Sequence, residues 1–280
     1  MPFQFNGNEK VLHKMGKCAK ILYKAFYAHF EQEVSRVEGF VDIHCHILPG
    51  VDDGARDLTQ ALDLLKNARS QGIGAVLLTP HYRGRYHGNV RGKLAAVFEE
   101  LCKAAKAQCP DLELYLGCEV GYELDISEKI TEGSVLSLNN TQYVLLEFQE
   151  KSFRSRIMEG VLEVLNFGYV PIIAHAERYE AFRNRPQLIE EVAELGALVQ
   201  INAHSVMGKG GFWIKRFCHK LLKAHLVHFV ATDAHDLKQR RPEMKSCYRL
   251  IRKKYGQAYA DALFIRNGRA VLSGEDCIEC

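Results

Sequence analysis

From residue 39 onward the chain alternates short apolar runs with longer stretches of helical periodicity. The runs fall at 39–43, 75–79, 112–117, 143–146, 170–174 and 228–231, with a further strand expected at 197–202. Short runs of this kind, bounded by turn residues, read as buried strands. The stretches between them predict helices at 57–71, 91–108, 157–167, 187–195, 212–224 and 243–255. In the first helix Ala61, Leu62, Leu64, Leu65 and Ala68 form the buried side, and Gly196 stops another before the next strand. Strands alternating with helices build a parallel α/β barrel, and seven strands leave it one short of the usual eight. In such a barrel the working residues stand at the carboxyl ends of the strands.

Residues 1–38 stand apart as an N-terminal helical extension to a catalytic domain at 39–280. Val11, Leu12, Met15, Cys18, Ile21, Leu22 and Phe26 keep helical spacing, with Lys10, Lys14, Lys17, Lys20 and Lys24 alongside. A stripe packed on the barrel, or against a second copy in a homo-oligomer, suits this pattern better than a membrane-surface or partner helix.

Composition narrows the class. Hydrophobic residues at 47% and charged residues at 25% are ordinary globular values. A formal charge of +3 gives no argument for nucleic acid. Nine cysteines without a secretory signal read as reduced thiols of a cytoplasmic protein, and Cys277 and Cys280 as thiols of a frayed tail. No apolar run approaches the roughly 20 residues of a membrane span, so membrane contact would be peripheral, at the inner face.

The strand ends carry the chemistry. His44 and His46 lie two apart on a strand, so both imidazoles can face one ion. Asp52 and Asp53 follow in a loop opened by Pro49-Gly50; adjacent carboxylates imply a cation, and Asp53 is the favoured functional member, with Asp52, Asp57 or Thr59 free to cap the next helix. His81, Glu119, Glu147 and His175 each end a separate strand, and a glutamate closing a buried strand needs a partner or a metal. Asp233 and His235 repeat the two-residue spacing. Together these predict a polynuclear centre of manganese, iron or zinc, with Glu119 and Glu147 able to bridge ions. Of the other histidines, His13, His29, His204, His219, His225 and His228 read as surface or packing residues, and His87 draws notice only because it follows His81 in a polar loop.

At this point the chain resembles a known family. Asp-Ile-His-Cys-His-Ile-Leu-Pro-Gly-Val-Asp-Asp-Gly (42–54) is similar to the opening motif of the polymerase-and-histidinol-phosphatase (PHP) superfamily, and within it to the manganese-dependent protein-tyrosine phosphatases of bacterial capsule and exopolysaccharide operons, the CpsB/YwqE type. The likeness continues through Thr79-Pro80-His81, Gly117-Cys118-Glu119, Glu147, Ala174-His175-Ala176-Glu177-Arg178, Asn202-Ala203 and Thr232-Asp233-Ala234-His235, and covers about 40–275. It implies a distorted seven-stranded barrel holding three divalent ions, manganese foremost. It implies hydrolysis of phosphotyrosine on the tail of a tyrosine kinase that governs polysaccharide synthesis. His44, His46, Asp53, His81, Glu119, Glu147, His175, Asp233 and His235 correspond to the metal shell, and Arg178 with Arg240 or Arg241 to the phosphate-binding arginines. Residues 1–38 have no counterpart in the pattern, and 148–156 is more basic and less proline-rich than the family's norm.

Cysteine-based tyrosine phosphatases need a cysteine, five residues and an arginine, and no cysteine here has arginine six positions on. The expected chemistry is instead metal-activated water attacking phosphorus. Asp53 or His235 would assist the leaving phenolate, and Arg83, Arg85, Tyr86 and Lys209, in strand-end loops, would hold the acidic flanks of a peptide unless they are merely solvated. The nearest enzymatic rival is a histidinol-phosphate or other small phosphomonoester phosphatase on the same barrel, followed by a phosphodiesterase. A non-catalytic kinase scaffold is disfavoured because every expected ligand position is filled.

Overall fold

The computed structural model describes residues 39–82 and 90–277. The expectations for residues 1–38, for Arg83, Arg85, Tyr86 and His87, and for Cys280 therefore lie outside the described residues.

Nine strand segments form among the described residues: β1 (Phe40–Cys45), β2 (Ile73–Leu78), β3 (His81–Tyr82), β4 (Glu113–Leu116), β5 (Glu119–Gly121), β6 (Tyr143–Glu147), β7 (Val170–Ile173), β8 (Leu198–Asn202) and β9 (Phe229–Ala231). Every pairing is parallel, in the orders β1-β2-β4 and β3-β5-β6-β7-β8-β9. The count exceeds the seven runs of the sequence pattern because two of them break. Thr79-Pro80 separates β2 from β3, and Gly117-Cys118 separates β4 from β5. Proline has no amide to donate to a ladder, so the strand jogs there. Hydrogen bonding bridges the jog: Gly117 N–H donates to Leu78 O at 2.9 Å and Glu119 N–H to Pro80 O at 3.1 Å. At the far edge Asp233 N–H donates to His44 O and His46 N–H to Ala234 O, both at 2.8 Å. The sheet therefore curls until the end of β9 meets the end of β1.

Helices fill the connections: α1 (Leu58–Ser70), α2 (Val90–Gln108), α3 (Ile126–Thr131), α4 (Arg154–Asn166), α5 (Glu180–Asn184), α6 (Gln187–Glu194), α7 (Ala203–Met207), α8 (Phe212–Lys223), α9 (Lys245–Tyr255), α10 (Gln257–Asp261) and α11 (Asn267–Ser273), with a π-helical turn at Ala262–Arg266. The buried side of α1 is the predicted one, and Asp57 caps it by accepting from Gln60 N–H at 2.8 Å.

Period-two alternation divides the apolar strand residues between two cores. Val41, Ile43, Ala75, Leu77, Tyr143, Leu145, Ile172, Ala174, Phe229 and Ala231 pack together inside the curl. Val76, Leu78, Val144, Leu146, Ile173, Val199, Ile201 and Val230 pack outward under the helices. Glu147 and Asp233 continue the inward parity of β6 and β9 past the strand ends, so the inner core terminates in polar side chains. As far as Cys277, the C-terminal segment is held rather than frayed. Tyr143 Oη donates to Glu275 O at 2.7 Å, and the half-buried Cys277 donates its amide to Tyr143 Oη at 3.2 Å, which corrects the expectation for that thiol.

Candidate metal centre

A register shift between Asp42 and Cys45 resets the alternation of β1. Cys45 thereby joins the outer core, while His44 and His46 turn to the mouth of the curl, both fully buried. His175 and Asp233 reach the mouth through left-handed backbone, φ +32° and +53°. Non-glycine residues pay strain for that conformation, and it concentrates where a side chain must be aimed.

All nine candidate ligands converge. Their donor atoms fall into four groups, each spanning no more than 4.8 Å: His46, Asp53, His81 and His235; His44, His175 and Asp233; His44, His46 and Glu119; and His81, Glu119 and Glu147. Glu119 is the hub. Its Oε1 lies 2.8 Å from His175 Nε2 and 3.3 Å from His44 Nε2, and its Oε2 lies 2.9 Å from His81 Nδ1 and 3.2 Å from His46 Nε2. Glu147 approaches His81 at 3.6 Å and His175 at 3.7 Å. Asp53 points its 65%-exposed side chain at His81 and His235, 3.5 and 3.6 Å away.

The neighbours of these residues decide which nitrogen faces the cage. Asp233, a carboxylate, only accepts, so Asn202 must offer its amide nitrogen to Asp233 Oδ2 at 2.9 Å. The Asn202 oxygen then accepts from Gln200 Nε2 at 2.8 Å, leaving Gln200 Oε1 to accept from His44 Nδ1 at 3.1 Å and from His175 N–H at 2.8 Å. His44 therefore carries a proton on Nδ1 and aims Nε2 inward. His46 Nδ1 donates to Asp52 at 2.7 Å, and His235 Nδ1 to the Asp233 carbonyl at 3.0 Å, with the same result. Asp52 is thus a buried positioning carboxylate, its second oxygen taking Gly54 N–H at 3.0 Å. The expectation that Asp52 could cap the next helix is corrected: Asp57 caps it, and Asp52 instead orients His46. Gln200 went unnoticed in the sequence and Asn202 was given no role beyond its motif, although the two share the two-residue spacing of His44 and His46.

These residues fit divalent ions. His44 Nε2 and His46 Nε2 stand 3.2 Å apart, which two imidazole nitrogens tolerate only with a cation or proton between them. His235 Nε2 is buried without a hydrogen-bond partner among the described residues. Burial opposes charge on His46, yet Asp52 and Glu119 outweigh it and push its pKa up to about 10. Burial likewise opposes charge on Asp233, and His44, Arg178 and Arg240 hold its carboxyl well below the usual range. His235, without a comparable partner, is pushed down to about 3 by burial and then by His46. Imidazole and carboxylate donors around shared positive charge suit manganese, iron or zinc.

Two arginines border the cage. Arg178 Nη2 lies 2.8 Å from Asp233 Oδ2 and Arg240 Nη2 2.6 Å from Asp233 Oδ1. Arg241 faces away and meets Glu243 at 3.3 Å, so of the two alternatives only Arg240 belongs to the site. Lys209 also pairs with Glu243. His204 stands closer than a bland surface residue: its pKa is lowered by burial and then by Arg178. Cys45 is no nucleophile, since burial raises its thiol well above its ordinary value, and burial pushes Cys118 up to about 12.

A curled parallel sheet with a histidine and carboxylate cage at its carboxyl ends defines a metal-dependent hydrolase. The chain belongs to the family "Capsular polysaccharide synthesis, CpsB/CapC", which matches residues 40–273. It is 34% identical over 237 residues to the tyrosine-protein phosphatase CpsB of Streptococcus pneumoniae, covering 83% of this chain and 98% of that one. It is 32% identical to the tyrosine-protein phosphatase YwqE of Bacillus subtilis, covering 77% and 85%. Among solved structures it superimposes on one from work on YwqE and CpsB, described there as unique metal-dependent tyrosine phosphatases, with a TM-score of 0.81 and 30% identity over 86% of this chain and 97% of that one. A phosphotriesterase homology protein from Escherichia coli shares the fold alone, at a TM-score of 0.53 and 12% identity over 81% and 96%.

Proposed function

We propose that this chain is a metal-dependent protein-tyrosine phosphatase whose substrate is the phosphotyrosine tail of a bacterial kinase controlling capsular or exopolysaccharide synthesis. The convergence of nine histidine and carboxylate side chains beside two arginines carries this reading. In it, residues 39–280 form the catalytic unit, and the nine segments act as seven strands of one distorted barrel, with β2–β3 and β4–β5 each counted as a single jogged strand.

His44, His46, Asp53, His81, Glu119, Glu147, His175, Asp233 and His235 would hold three divalent ions, manganese foremost. When bound, those ions supply positive charge to the phosphoryl oxygens and lower the pKa of the attacking water. Arg178 and Arg240 donate charge-assisted hydrogen bonds to the equatorial oxygens. Their anchorage on Asp233 sets them before substrate arrives, which removes a reorganisation cost from the reaction. Of Asp53 and His235, Asp53 is the better placed to assist the departing phenolate, since its side chain is exposed while His235 turns Nδ1 to the Asp233 carbonyl and Nε2 to the cage. Gln200, Asn202 and Asp52 keep the imidazoles turned inward.

The test sets a phosphotyrosine peptide beside histidinol phosphate, each offered to metal-stripped protein with and without manganese. Manganese-dependent hydrolysis of the peptide alone is expected. Hydrolysis of histidinol phosphate alone would transfer the site to a small-molecule phosphatase.

A further inference from the structure

Among the described residues, two helices carry a block of unopposed positive charge. Helices α8 and α9 carry nine lysines and arginines and no acidic residue. The whole chain has 37 basic and 34 acidic side chains, so the rest, with 28 against 34, is net acidic. The helices lie side by side and run the same way. Lys209, just before α8, pairs with Glu243, just before α9, and further along His219 Nδ1 meets Tyr255 Oη at 2.7 Å.

Each helix buries one stripe and exposes a cationic one. On α8, Phe217, Cys218, Leu221 and Leu222 face the core, while Arg216, Lys220 and Lys223 recur outward at helical spacing. On α9, Cys247 and Ile251 are buried and Lys245, Arg249, Arg252, Lys253 and Lys254 are exposed. No ion pair engages any of these cations among the described residues. The acidic groups at the border are committed elsewhere: Glu243 to Lys209 and Arg241, and Asp261 to the Tyr248 hydroxyl at 2.6 Å. At the start of α8, Phe212 and Trp213 stack edge to face at 5.2 Å and are 68% and 72% exposed.

We infer that the outer face of α8 and α9 docks on an anionic lipid surface. Cations at helical spacing, with no acidic side chain paired to them, supply attraction to acidic headgroups. An exposed tryptophan and phenylalanine at one end supply the apolar anchor that interfacial helices use, and which a patch built for solubility alone would lack. Both helices begin at the carboxyl end of the sheet, where the cage opens, so docking brings the site mouth to the edge of the bilayer surface. The inference is independent of what the cage hydrolyses.

Trp213 is the only tryptophan in the chain and reports on this face directly. The full chain is mixed with vesicles of phosphatidylcholine alone or of phosphatidylcholine with phosphatidylglycerol. A blue shift of Trp213 emission with the acidic vesicles only, reversed by added salt, is expected. Each lysine or arginine at such a surface is worth about a fivefold change in affinity, so the combined variant Lys220→Glu, Lys223→Glu, Arg252→Glu, Lys253→Glu should bind at least about tenfold more weakly in co-sedimentation. Its hydrolysis of a soluble phosphotyrosine peptide should stay at the wild-type rate, which certifies the fold; if that rate is lost, the Trp213 shift of the wild type decides alone. Vesicle binding undiminished in the folded variant would overturn the inference. So would an emission shift with polyglutamate or an oligonucleotide but not with vesicles.

Discussion

Asp233 collects more of the site's electrostatics than any other side chain. Arg178, Arg240 and Asn202 all end on its two oxygens, and His44 and His46 lie 3.5 Å away. The contrast between Arg240 and Arg241 follows from this. Arg240→Ala should lower turnover of a phosphotyrosine peptide by about a hundredfold or more, as losing one oxyanion donor does. Arg241→Ala, 47% exposed and bound only to Glu243, should leave steady-state kinetics close to wild type. The amide relay gives a second expectation at this scale. Gln200→Leu frees the His44 ring to rotate and should weaken manganese binding about 10- to 100-fold, measured by titrating metal against turnover. Unchanged affinity would reduce Gln200 to a packing residue. Asn202 stood in the sequence only as part of a motif and Gln200 not at all, because an amide announces its role only through what lies on either side of it. The imidazoles and carboxylates, by contrast, stood out by strand-end position, or for Asp53 by its acidic neighbour in a loop.

Among the elements, strands and long helices could be read because each buries a regular stripe. The sequence did not reveal where a strand jogs or where its parity resets. The shift at Asp42–Cys45 and the left-handed residues His175 and Asp233 are local departures from period two that only the closed sheet enforces. The short helices after residue 255 were also missed, since five- to seven-residue pieces joined by a π turn carry no sustained periodicity. Gly54 shows how tightly the loop after β1 is fitted. A Cβ there would stand 1.9 Å from His46 O and 2.6 Å from His46 Cβ, and both contacts fall on a residue that carries a cage imidazole. Gly54→Ala should therefore abolish metal-dependent turnover while helical circular dichroism persists. Retained activity would show that the loop yields.

At the scale of the whole molecule, stability and catalysis respond to pH through different groups. His228 packs away from the cage, its Nδ1 accepting from Val199 N–H at 3.1 Å, and burial pushes its pKa down to about 4. Its folded value lies below the unfolded one of about 6.5, so on acidification the unfolded chain takes the proton first. The group contributes nothing above about pH 6.5, and stability falls by about 3 kcal/mol between there and about pH 4. His228→Asn keeps an acceptor for Val199 without the titration. Its urea midpoint should decline less than that of the wild type between neutral and acidic buffer.

No helix among the described residues is long and apolar enough to cross a membrane. The cage itself answers to one experiment before any other. Metal-stripped protein is given manganese in steps, and bound metal and phosphotyrosine-peptide hydrolysis are counted in the same samples. Hydrolysis absent at the start and rising with bound manganese is the predicted result. Hydrolysis at full rate with no metal bound, or manganese filling the cage with no hydrolysis, would contradict the account.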